Sequence, residues 1–400
     1  MKVAAFLGQG QCSGGGFQQS LNAALQMNRI CQGSYEFSVY TTTETNVRIL
    51  QDLGLKTVYC EINFLDKIVG LASRLNMFQP LRSRLRIFSS FEKKLKTDGI
   101  DLIYFLTPSP VAACLQSLNY IFTVWDLCHR DFPEFPEVRD FGEFEQRELL
   151  YKSTLGKAYL IIADSDELKQ KIVFHYKIDP SRIIIMPFQP APACVSQNDS
   201  KKDGEALLQY NLTPGYLFYP AQFWSHKGHV RLLEALAIFR ERNSHLPQTV
   251  FVGGDTGNLK VVTAMVHKLG LENAVRVLGF VPDMHIPSLY RGASALVMPT
   301  YFGPTNLPPL EAMSLGVPII YPRHLSDQCG DSAIYFDVDD AASFCEAIEH
   351  VLCKLDRSHG RRISDKRLAL MAEARSRAEV ALRKRLDKFE RRLMCWTSSK

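Results

Sequence analysis

The sequence predicts an α/β protein built from two doubly wound, Rossmann-like domains that face each other across a cleft. Three observations lead to this fold class. The chain has 400 residues, 46% of them apolar and 22% charged, which is more than one core usually holds. Short apolar runs alternate with segments of helical period, as is typical of parallel strands covered on both faces. The alternation stops at residues 187–209 and then restarts.

The expected strands are short runs rich in β-branched and aromatic residues. In the first half of the chain they are Val3–Leu7, Phe37–Tyr40, Thr57–Ile62, Asp101–Leu106, Tyr120–Val124, Tyr159–Ala163 and Arg182–Met186. In the second half they are Tyr216–Tyr219, Thr249–Val252, Val275–Leu278, Ala295–Met298, Pro318–Tyr321 and Ala333–Phe336. The first run is short and leads into a glycine-rich loop, which favours a buried strand over a signal peptide.

The domain boundaries follow from composition. Pro, Ser, Asp, Lys and Gly are frequent in residues 189–209, which indicates an interdomain linker between a first domain, 1–188, and a second, 210–375. Residues 376–400 are expected to form a basic amphipathic helix that packs back on the body. Its apolar stripe consists of Leu382, Leu386, Phe389, Leu393 and Trp396.

The net charge of +5 is unevenly distributed. Residues 354–400 hold fifteen Lys and Arg against six Asp and Glu, or +9, so the remaining chain carries about −4. No aromatic platform or recognition motif accompanies this basic tail, so no nucleic-acid partner is expected. Two alternatives stay open for the tail. One is a docked helix with solvated charges, and the other is peripheral contact with an anionic membrane, shared with the basic stretch at 82–96.

Compartment and membrane topology follow from two further patterns. No apolar run approaches the roughly 20 residues needed to span a bilayer. The ten cysteines show no paired spacing, which favours free thiols in a reducing compartment. We therefore expect a cytoplasmic protein, with peripheral contact at the inner face of the cytoplasmic membrane as the open alternative.

Loops that follow strands are the expected ligand sites, because parallel sheets bind ligands at the carboxyl ends of their strands. The glycine-rich loop 8–16 offers Ser13, Gly14, Gly15 and Gly16 at a helix start, where backbone N–H groups can approach a phosphate or sugar. A tight structural turn is the alternative there. Lys227 also lies between a strand and a helix, so its ammonium can meet a diphosphate.

The segment 299–318 combines a strand end, a polar loop and a helix that Gly316 ends. Thr305 or Asn306 is expected to cap this helix. Glu311 is expected on its first turn, facing the cleft. Stabilisation of the helix dipole, worth roughly 0.3–1 kcal/mol, is the alternative role for this carboxylate.

Four features occur in one order: Lys227-Gly228, Phe251–Asp255, Val277–Val281 and Leu310–Pro318. Together they resemble the donor-binding domain of the family 4, or group 1, retaining glycosyltransferases of the GT-B fold. The first half resembles that family more loosely, through the glycine-rich loop, Thr123–Leu127 and Ile162–Leu168. The resemblance implies transfer of a sugar from a UDP-, GDP- or dTDP-sugar to a glycan or lipid-linked acceptor with retention of configuration. Bacterial surface polysaccharide assembly, such as O-antigen or capsule, is the setting it implies.

The resemblance also implies roles for individual residues. Glu311 would accept hydrogen bonds from the donor ribose, and Lys227 would neutralise the departing diphosphate. His129 and Asp126 are the candidates for orienting the acceptor. The remaining donor-binding positions are Gln222, Gly279, Phe280, Val281, Gly303, Thr305, Asn306 and Leu307. Among these, the amides of Asn306 and Leu307 would cradle phosphate or sugar.

Three positions depart from the family pattern: Gly303 replaces the first of two glutamates, Gln222 an arginine and Trp125 a histidine. Thr305 and Asn306 would then make the sugar contacts of the missing glutamate. The departures leave two alternatives open, a catalytically silent GT-B subunit that binds nucleotide or glycan, and a nucleotide-sugar epimerase. No cofactor or metal is expected. The motif Asp164-Ser165-Asp166 opens a helix, so capping explains it better than a metal site.

Overall fold

The computed structural model describes residues 1–10, 14–64, 66, 68–70, 84, 87–195, 200–303, 305–353 and 357–395, with only the backbone described at 200–202 and 357–359. The chain divides into two compact units. The first comprises Met1–Asp131, Arg139–Phe188 and Glu373–Lys400, and the second comprises Phe132–Val138 and Gln189–Ala372.

The first unit is built on a parallel sheet of strand order β3-β2-β1-β4-β5-β6-β7. Its strands are β1 Lys2–Leu7, β2 Glu36–Thr41, β3 Thr57–Tyr59, β4 Leu102–Phe105, β5 Asn119–Thr123, β6 Leu160–Ala163 and β7 Ile183–Ile185. All seven strands expected in the first half of the chain are present.

The second unit is built on a parallel sheet of order β10-β9-β8-β11-β12-β13. Its strands are β8 Tyr216–Pro220, β9 Thr249–Val252, β10 Val275–Val277, β11 Ala293–Val297, β12 Ile319–Pro322 and β13 Ile334–Phe336. The six strands expected in the second half are also present, so two Rossmann-like units are confirmed.

Helices connect these strands. In the first unit they are α1 Gly15–Cys31, α2 Glu44–Asp52, α3 Ser90–Thr97, α4 Cys128–Asp131, with α5 Pro136–Arg139 at its boundary with the second unit, then α6 Glu143–Thr154 and α7 Asp166–Tyr176. After them come α8 Pro192–Val195, α9 Ser200–Gln209, α10 His229–Arg242, α11 Leu259–Lys268, α12 Ile286–Gly292, α13 Leu307–Leu315, α14 Ser326–Cys329, α15 Ala341–Cys353 and α16 Arg357–Leu393. Within the described residues, none of these helices has both the length and the apolar character needed to cross a membrane.

Local sequence explains where several helices begin. Thr43, Ser89 and Ser165 lie at the N-caps of α2, α3 and α7, and each side-chain oxygen accepts a backbone N–H from the first turn. Such a bond satisfies one of the N–H groups that a helix start leaves unpaired. The capping role expected for Asp164-Ser165-Asp166 is therefore present, with Ser165 as the cap.

The unit boundaries differ from the expected domain boundaries at two places. Residues 200–209, expected as linker, form α9, which buries Ala206 and Leu207. Asp203 on this helix binds Arg291 at 2.5 Å, so a segment of polar composition is ordered by one ion pair and two apolar side chains. The segment Phe132–Val138, expected in the first domain, belongs to the second unit.

The C-terminal helix packs on the first unit, as expected. Ala378, Leu382, Leu386 and Phe389 of α16 are buried in one core cluster with residues of α1 and of one face of the sheet. Glu390 pairs with the N-terminal amino group at 3.1 Å. The helix already begins at Arg357, earlier than the expected residue 376, and Trp396 lies outside the described residues.

Candidate functional site

Loops at the carboxyl ends of the strands of the second unit contact one another. The N–H of Phe223, after β8, donates to the carbonyl of Gly254, after β9, at 3.0 Å. The N–H of Gly253 donates to the carbonyl of Gly279, after β10, at 2.9 Å. These bonds gather the loops of three neighbouring strands at the edge where ligands bind in parallel sheets.

Lys227 lies where the loop after β8 meets the loop after β11. Gly228, which follows it, has a φ of +63°, and a Cβ there would lie 2.1 Å from the carbonyl oxygen of Pro299. The close approach therefore requires glycine. The Lys227 ammonium donates to Oδ1 of Asn306 at 3.4 Å. The structure thus brings the expected phosphate-binding lysine to the start of α13.

Asn306 has a different role from the one expected. It is the N-cap residue of α13, but its side chain makes no capping bond. Its Nδ2 donates to the carbonyl of Gly303 at 3.0 Å and to the hydroxyl of Tyr321 at 2.7 Å. Its backbone N–H donates to Oε1 of Gln328 at 2.9 Å. Because its amide groups are used inside the protein, Asn306 holds the loop rather than cradling a ligand.

Thr305 and Leu307 are left as the ligand candidates of this loop. Thr305 is partly exposed and Leu307 is buried as the first residue of α13. The backbone N–H groups of a first helical turn have no partner within the helix. The expected contact of phosphate or sugar with this helix start therefore rests on Leu307 and Thr305, without the Asn306 amide.

The Asn306 side chain occupies the space that a larger residue at position 303 would need. Gly303 has a φ of +117°, and a Cβ there would lie 2.7 Å from Oδ1 and 2.9 Å from Nδ2 of Asn306. An L-residue is strained at such a φ. The absence of a glutamate at this position is therefore coupled to the presence of Asn306.

Glu311 lies deeper in α13 than expected. It is the fifth residue of the helix, one turn beyond the start, and its exposed fraction is 7%. Its Oε2 accepts a hydrogen bond from the hydroxyl of Tyr290 at 2.8 Å. Stabilisation by the helix dipole is concentrated in the first turn, so the dipole does not explain this carboxylate.

Burial has the largest effect on the pKa of Glu311. Desolvation raises its pKa from 4.5 to about 7, the Tyr290 hydroxyl opposes the rise, and the negative charge of Asp283 adds to it. Asp283 follows the Gly279–Val281 loop, so this loop approaches Glu311. A ligand hydroxyl that donates to Glu311 would favour the ionised form of the carboxyl.

The loop after β10 offers backbone groups and one aromatic ring. An added Cβ at Gly279 would meet no heavy atom within 4 Å. Phe280 is 57% exposed, whereas Val281 is buried. The exposed ring provides a flat apolar face of the kind on which nucleobases stack. Gln222 lies further along the same edge and accepts from the Trp224 indole at 3.1 Å.

In the first unit, His129 is buried rather than open to an acceptor. Its exposed fraction is 0%, and its Nε2 lies 2.9 Å from Oε1 of Glu148. The rings of Phe144 and Tyr151 pack beside it. Burial lowers its pKa although Glu148 acts in the opposite direction. This aromatic surrounding makes His129 a residue that holds the loop after β5.

Asp126, in that same loop, is partly exposed. It pairs with Arg147 at 3.1 Å and accepts the backbone N–H of Cys128 at 3.0 Å. Of the two expected acceptor-orienting residues, Asp126 is therefore the one whose side chain solvent can reach.

The glycine-rich loop is described in part, since Ser13 lies outside the described residues. Gly14 is the N-cap of α1, with a φ of +61°. A Cβ on Gly16 would lie 2.9 Å from the ring of Trp125. Trp125 therefore packs where Gly16 leaves room for its ring.

The sequence analysis missed Glu137, which lies in the segment Phe132–Val138. Its Oε1 accepts the backbone N–H of His226 at 2.7 Å and also binds Nδ1 of the same residue. The His226 ring stacks on Phe302, with centroids 3.9 Å apart and planes at 12°. Glu137 therefore holds the residue before Lys227, and Phe302 lies directly before Gly303.

The Glu137 carboxylate is ionised, and only one of its two oxygens binds His226. Burial alone would raise its pKa, but hydrogen bonds from His226 lower it below 4.5. Its side chain is 7% exposed, and Oε2 is buried without a hydrogen-bond partner among the described residues. The signal in the sequence that could have pointed to it is the repeat of Phe-Pro-Glu at residues 132–134 and 135–137.

No group of three His, Cys, Asp or Glu side chains within the described residues could hold a metal ion. The polar groups that the second unit gathers are one ammonium, two buried carboxylates and the start of α13. This set is suited to binding an anionic diphosphate and a polyhydroxylated group.

Comparison with known proteins agrees with this site chemistry. Residues 205–352 match the model of the family described as glycosyl transferases group 1. The chain is 26% identical over 238 residues to the O-antigen chain mannosyltransferase B of Escherichia coli, covering 58% of this chain and 61% of that protein. It is 25% identical over 234 residues to a D-inositol 3-phosphate glycosyltransferase of Corynebacterium kroppenstedtii, covering 54% and 51%. The chain thus spans between half and two thirds of these relatives.

Solved structures show the same fold over nearly the whole chain. HepE of Anabaena, in complex with UDP and glucose, superposes with a TM-score of 0.70 at 15% identity and covers 97% of this chain and 100% of its own. WaaG, a glycosyltransferase of lipopolysaccharide biosynthesis, gives a TM-score of 0.63 at 17% identity and covers 94% and 95%. These likenesses confirm the GT-B fold class, and the family match supports a group 1 glycosyltransferase region at residues 205–352.

Proposed function

We propose that this chain is a GT-B glycosyltransferase that moves a sugar from a nucleoside-diphosphate sugar to a glycan or lipid-linked acceptor with retention of configuration. One observation carries the proposal. The Lys227 ammonium is held at the start of α13 by Asn306, inside the region that matches the group 1 family. A cation at a helix start is suited to a diphosphate leaving group.

The donor would bind along the carboxyl edge of the second unit. Lys227 and the backbone N–H of Leu307, the one N–H among the first three residues of α13 because Pro308 and Pro309 have none, would hold the diphosphate. Glu311 would exchange its bond with Tyr290 for hydrogen bonds from ribose hydroxyls, and the exposed Phe280 ring would stack on the base. HepE, which has the same fold, binds UDP and glucose, and this supports a nucleotide sugar as donor.

The reaction we propose breaks the bond between the anomeric carbon and the diphosphate oxygen. Negative charge grows on that oxygen as the bond breaks, and Lys227 with the helix start would stabilise it. The acceptor hydroxyl would attack from the face that the diphosphate leaves, and its proton would pass to the leaving phosphate oxygen. No protein nucleophile and no metal ion takes part in this scheme.

Surface polysaccharide assembly on the cytoplasmic side of the membrane is the setting we propose. Its support lies in the relatives, an O-antigen mannosyltransferase and WaaG of lipopolysaccharide biosynthesis. Asp126 is the acceptor-orienting residue we propose, because its carboxylate is accessible to solvent. His129 would keep Asp126 in place from within the core.

A second candidate, a silent GT-B subunit that binds nucleotide without transfer, is favoured by two specific observations. Glu311 is buried and bonded to Tyr290, and the space of the missing glutamate at 303 is filled by Asn306. Donor binding would then require Tyr290 to give up its bond.

Incubation with UDP-, GDP-, dTDP- and ADP-sugars, followed by chromatography of nucleotide and sugar, tests the proposal. We expect release of a nucleoside diphosphate that depends on acceptor. Lys227→Ala is expected to lower the rate about 100- to 1,000-fold, because it removes charge stabilisation of the leaving group. Lys268→Ala, which removes an exposed lysine at the end of α11, is the matched control. Binding without turnover would establish the silent subunit instead, and an altered sugar would establish an epimerase.

A further inference from the structure

A pocket of about 450 Å³ lies at the amino-terminal edge of the sheet in the first unit. Two of its walls are the segments that lead into β6 and β7, at residues 156–160 and 179–182, and the third is α16. Because β6 and β7 are parallel, these segments lie at the opposite edge from the loops after β1 and β5. The pocket is therefore separate from the candidate acceptor site.

The lining of this pocket is strongly cationic. It contains Arg182, Arg385, Lys388 and Arg392, against one carboxylate, Asp179. Asp179 accepts the backbone N–H of Ser181 at 2.8 Å and is thereby engaged in its own turn. The three cations of α16 follow each other at intervals of three and four residues, so they share one face of the helix and repel each other.

Two of these cations have no counter-charge among the described residues. In the part of the chain that the structure describes, neither the Lys388 ammonium nor the Arg392 guanidinium makes a hydrogen bond or an ion pair. Both side chains are exposed. Their donors are therefore available to an anion that enters the pocket.

The pocket walls are fixed by contacts on their far side. Leu386 and Phe389 of α16 are buried in the core, and the hydroxyl of Tyr159 donates to the carbonyl of Arg385 at 2.8 Å. Arg385 donates to the carbonyl of Ser181 at 2.6 Å. Arg182 donates to the carbonyls of Gly156 and Ala158. The walls are therefore fixed before binding, and the ordering cost is confined to the Lys388 and Arg392 side chains.

We propose that this pocket binds a phosphate group through Lys388 and Arg392, with Arg182 and Arg385 forming its positive walls. A phosphate offers several oxygens and up to two negative charges, which match an ammonium and a guanidinium fork better than a single carboxylate does. The group belongs either to a soluble phosphate compound or to the headgroup of an anionic lipid. The inference does not depend on the proposed transferase activity.

The test compares two double variants of the full chain. Lys388→Gln with Arg392→Gln removes the two free cations of the pocket. Lys384→Gln with Arg391→Gln removes the same charge from exposed positions of the same helix that do not line the pocket. Inorganic pyrophosphate is titrated by calorimetry into each protein with Lys227→Ala added, so that the proposed donor site does not contribute, and phosphatidylcholine vesicles with and without phosphatidylglycerol are sedimented with each protein. Circular dichroism checks that both variants are folded.

We expect the pocket variant to bind at least about tenfold more weakly than the wild type and the matched control to stay within about threefold. A loss seen with pyrophosphate alone assigns the pocket to soluble phosphates, and a loss seen with vesicles assigns it to a lipid headgroup. Equal binding by the two variants, or no binding of either probe by the wild type, would overturn the proposal. Neither readout requires sugar transfer, so failure of the transferase proposal would be seen separately.

Discussion

Each unit contains a buried glutamate bonded to a histidine, and the two carboxylates differ in how completely their oxygens are used. Glu148 of the first unit binds His129, Arg130 and Tyr176 at 2.9 Å or less, and Lys152 at 3.1 Å. Glu137 of the second unit binds His226 through Oε1 and leaves Oε2 buried without a partner among the described residues.

The two carboxylates differ in how hydrogen bonds shift their pKa and in the free energy that their burial costs. Burial would raise the pKa of Glu148, but its hydrogen bonds lower it to about 2, so the carboxylate is fully committed to the fold. A buried acceptor without a partner costs about 1–3 kcal/mol. Glu137 thus has one acceptor oxygen without a partner among the described residues beside the loop that carries Lys227, whereas both oxygens of Glu148 are bonded.

The largest expected effect tests the structural role of Glu148. Glu148→Gln removes the charge and turns one acceptor into an NH₂ group that faces the donors of Arg130. We expect the free energy of unfolding in urea to fall by about 3 kcal/mol, as when one partner of a buried ion pair is removed. Glu145→Gln, the same change at an exposed position of α6, is expected to stay within about 0.5 kcal/mol. Equal unfolding midpoints for the two variants would contradict the comparison.

A third carboxylate, Glu311, extends the comparison because it is buried with two hydrogen-bond partners, the Tyr290 hydroxyl and the Ala191 backbone. Its pKa of about 7 in the folded protein lies above its usual 4.5. Between these values the folded chain holds a proton that the unfolded chain has released, so stability falls as pH rises from 4.5 to 7. The loss amounts to about 3 kcal/mol for a shift of this size in a fully buried group.

Glu311→Gln replaces the titrating carboxyl with an amide and should reduce the pH dependence of the free energy of unfolding. Urea unfolding at pH 5 and pH 7.5 measures the effect in wild type, in Glu311→Gln and in Glu346→Gln, an exposed control on α15. We expect the wild type and the control to lose the same stability over this range and Glu311→Gln to lose about 2 kcal/mol less. A variant with the slope of the wild type would show that Glu311 does not titrate there.

Periodicity predicted the fold because burial on both faces of a parallel sheet leaves its mark on each strand. It also led to Lys227 and Glu311, which stand in ordered motifs. The burial and the pKa of the carboxylates could not be predicted from periodicity. Glu311 was expected on the first turn, whereas Asn306, Pro308 and Pro309 start the helix so that position 311 falls one turn later. Helix starts depend on local geometry that composition does not encode.

Contacts distant in sequence were the other limit. Glu137 and His226 are 89 residues apart, and neither segment alone predicts that their side chains bind each other. Gly303 shows a local form of this limit, because its need for glycine follows from its φ of +117° and from the Asn306 side chain against it, neither of which the sequence shows. The family resemblance implied an acceptor role for His129, but its aromatic neighbours come from α6 and bury it.

The smallest expected effect concerns Glu137 and addresses function directly. Glu137→Gln keeps an acceptor for the His226 N–H but removes the negative charge beside the loop that carries Lys227. Glu148 binds four residues, whereas Glu137 binds only His226 among the other residues that the structure describes. We therefore expect Glu137→Gln to change the free energy of unfolding by less than about 1 kcal/mol. We expect kcat for sugar transfer to fall about tenfold, with little change in KM, since Lys227 acts most on charge that develops in the transition state.

Two variants separate positioning by Glu137 from a general loss of charge. Glu134→Gln removes a carboxylate from an exposed position of the same segment and should leave kcat unchanged. Glu137→Asp keeps the charge, with a side chain one methylene shorter, and should restore part of the rate. If Glu134→Gln and Glu137→Gln slowed transfer equally, the effect would be one of overall charge. If Glu137→Gln instead destabilised the chain as much as Glu148→Gln, the two carboxylates would have the same structural role, and the unpaired Oε2 would carry no functional meaning.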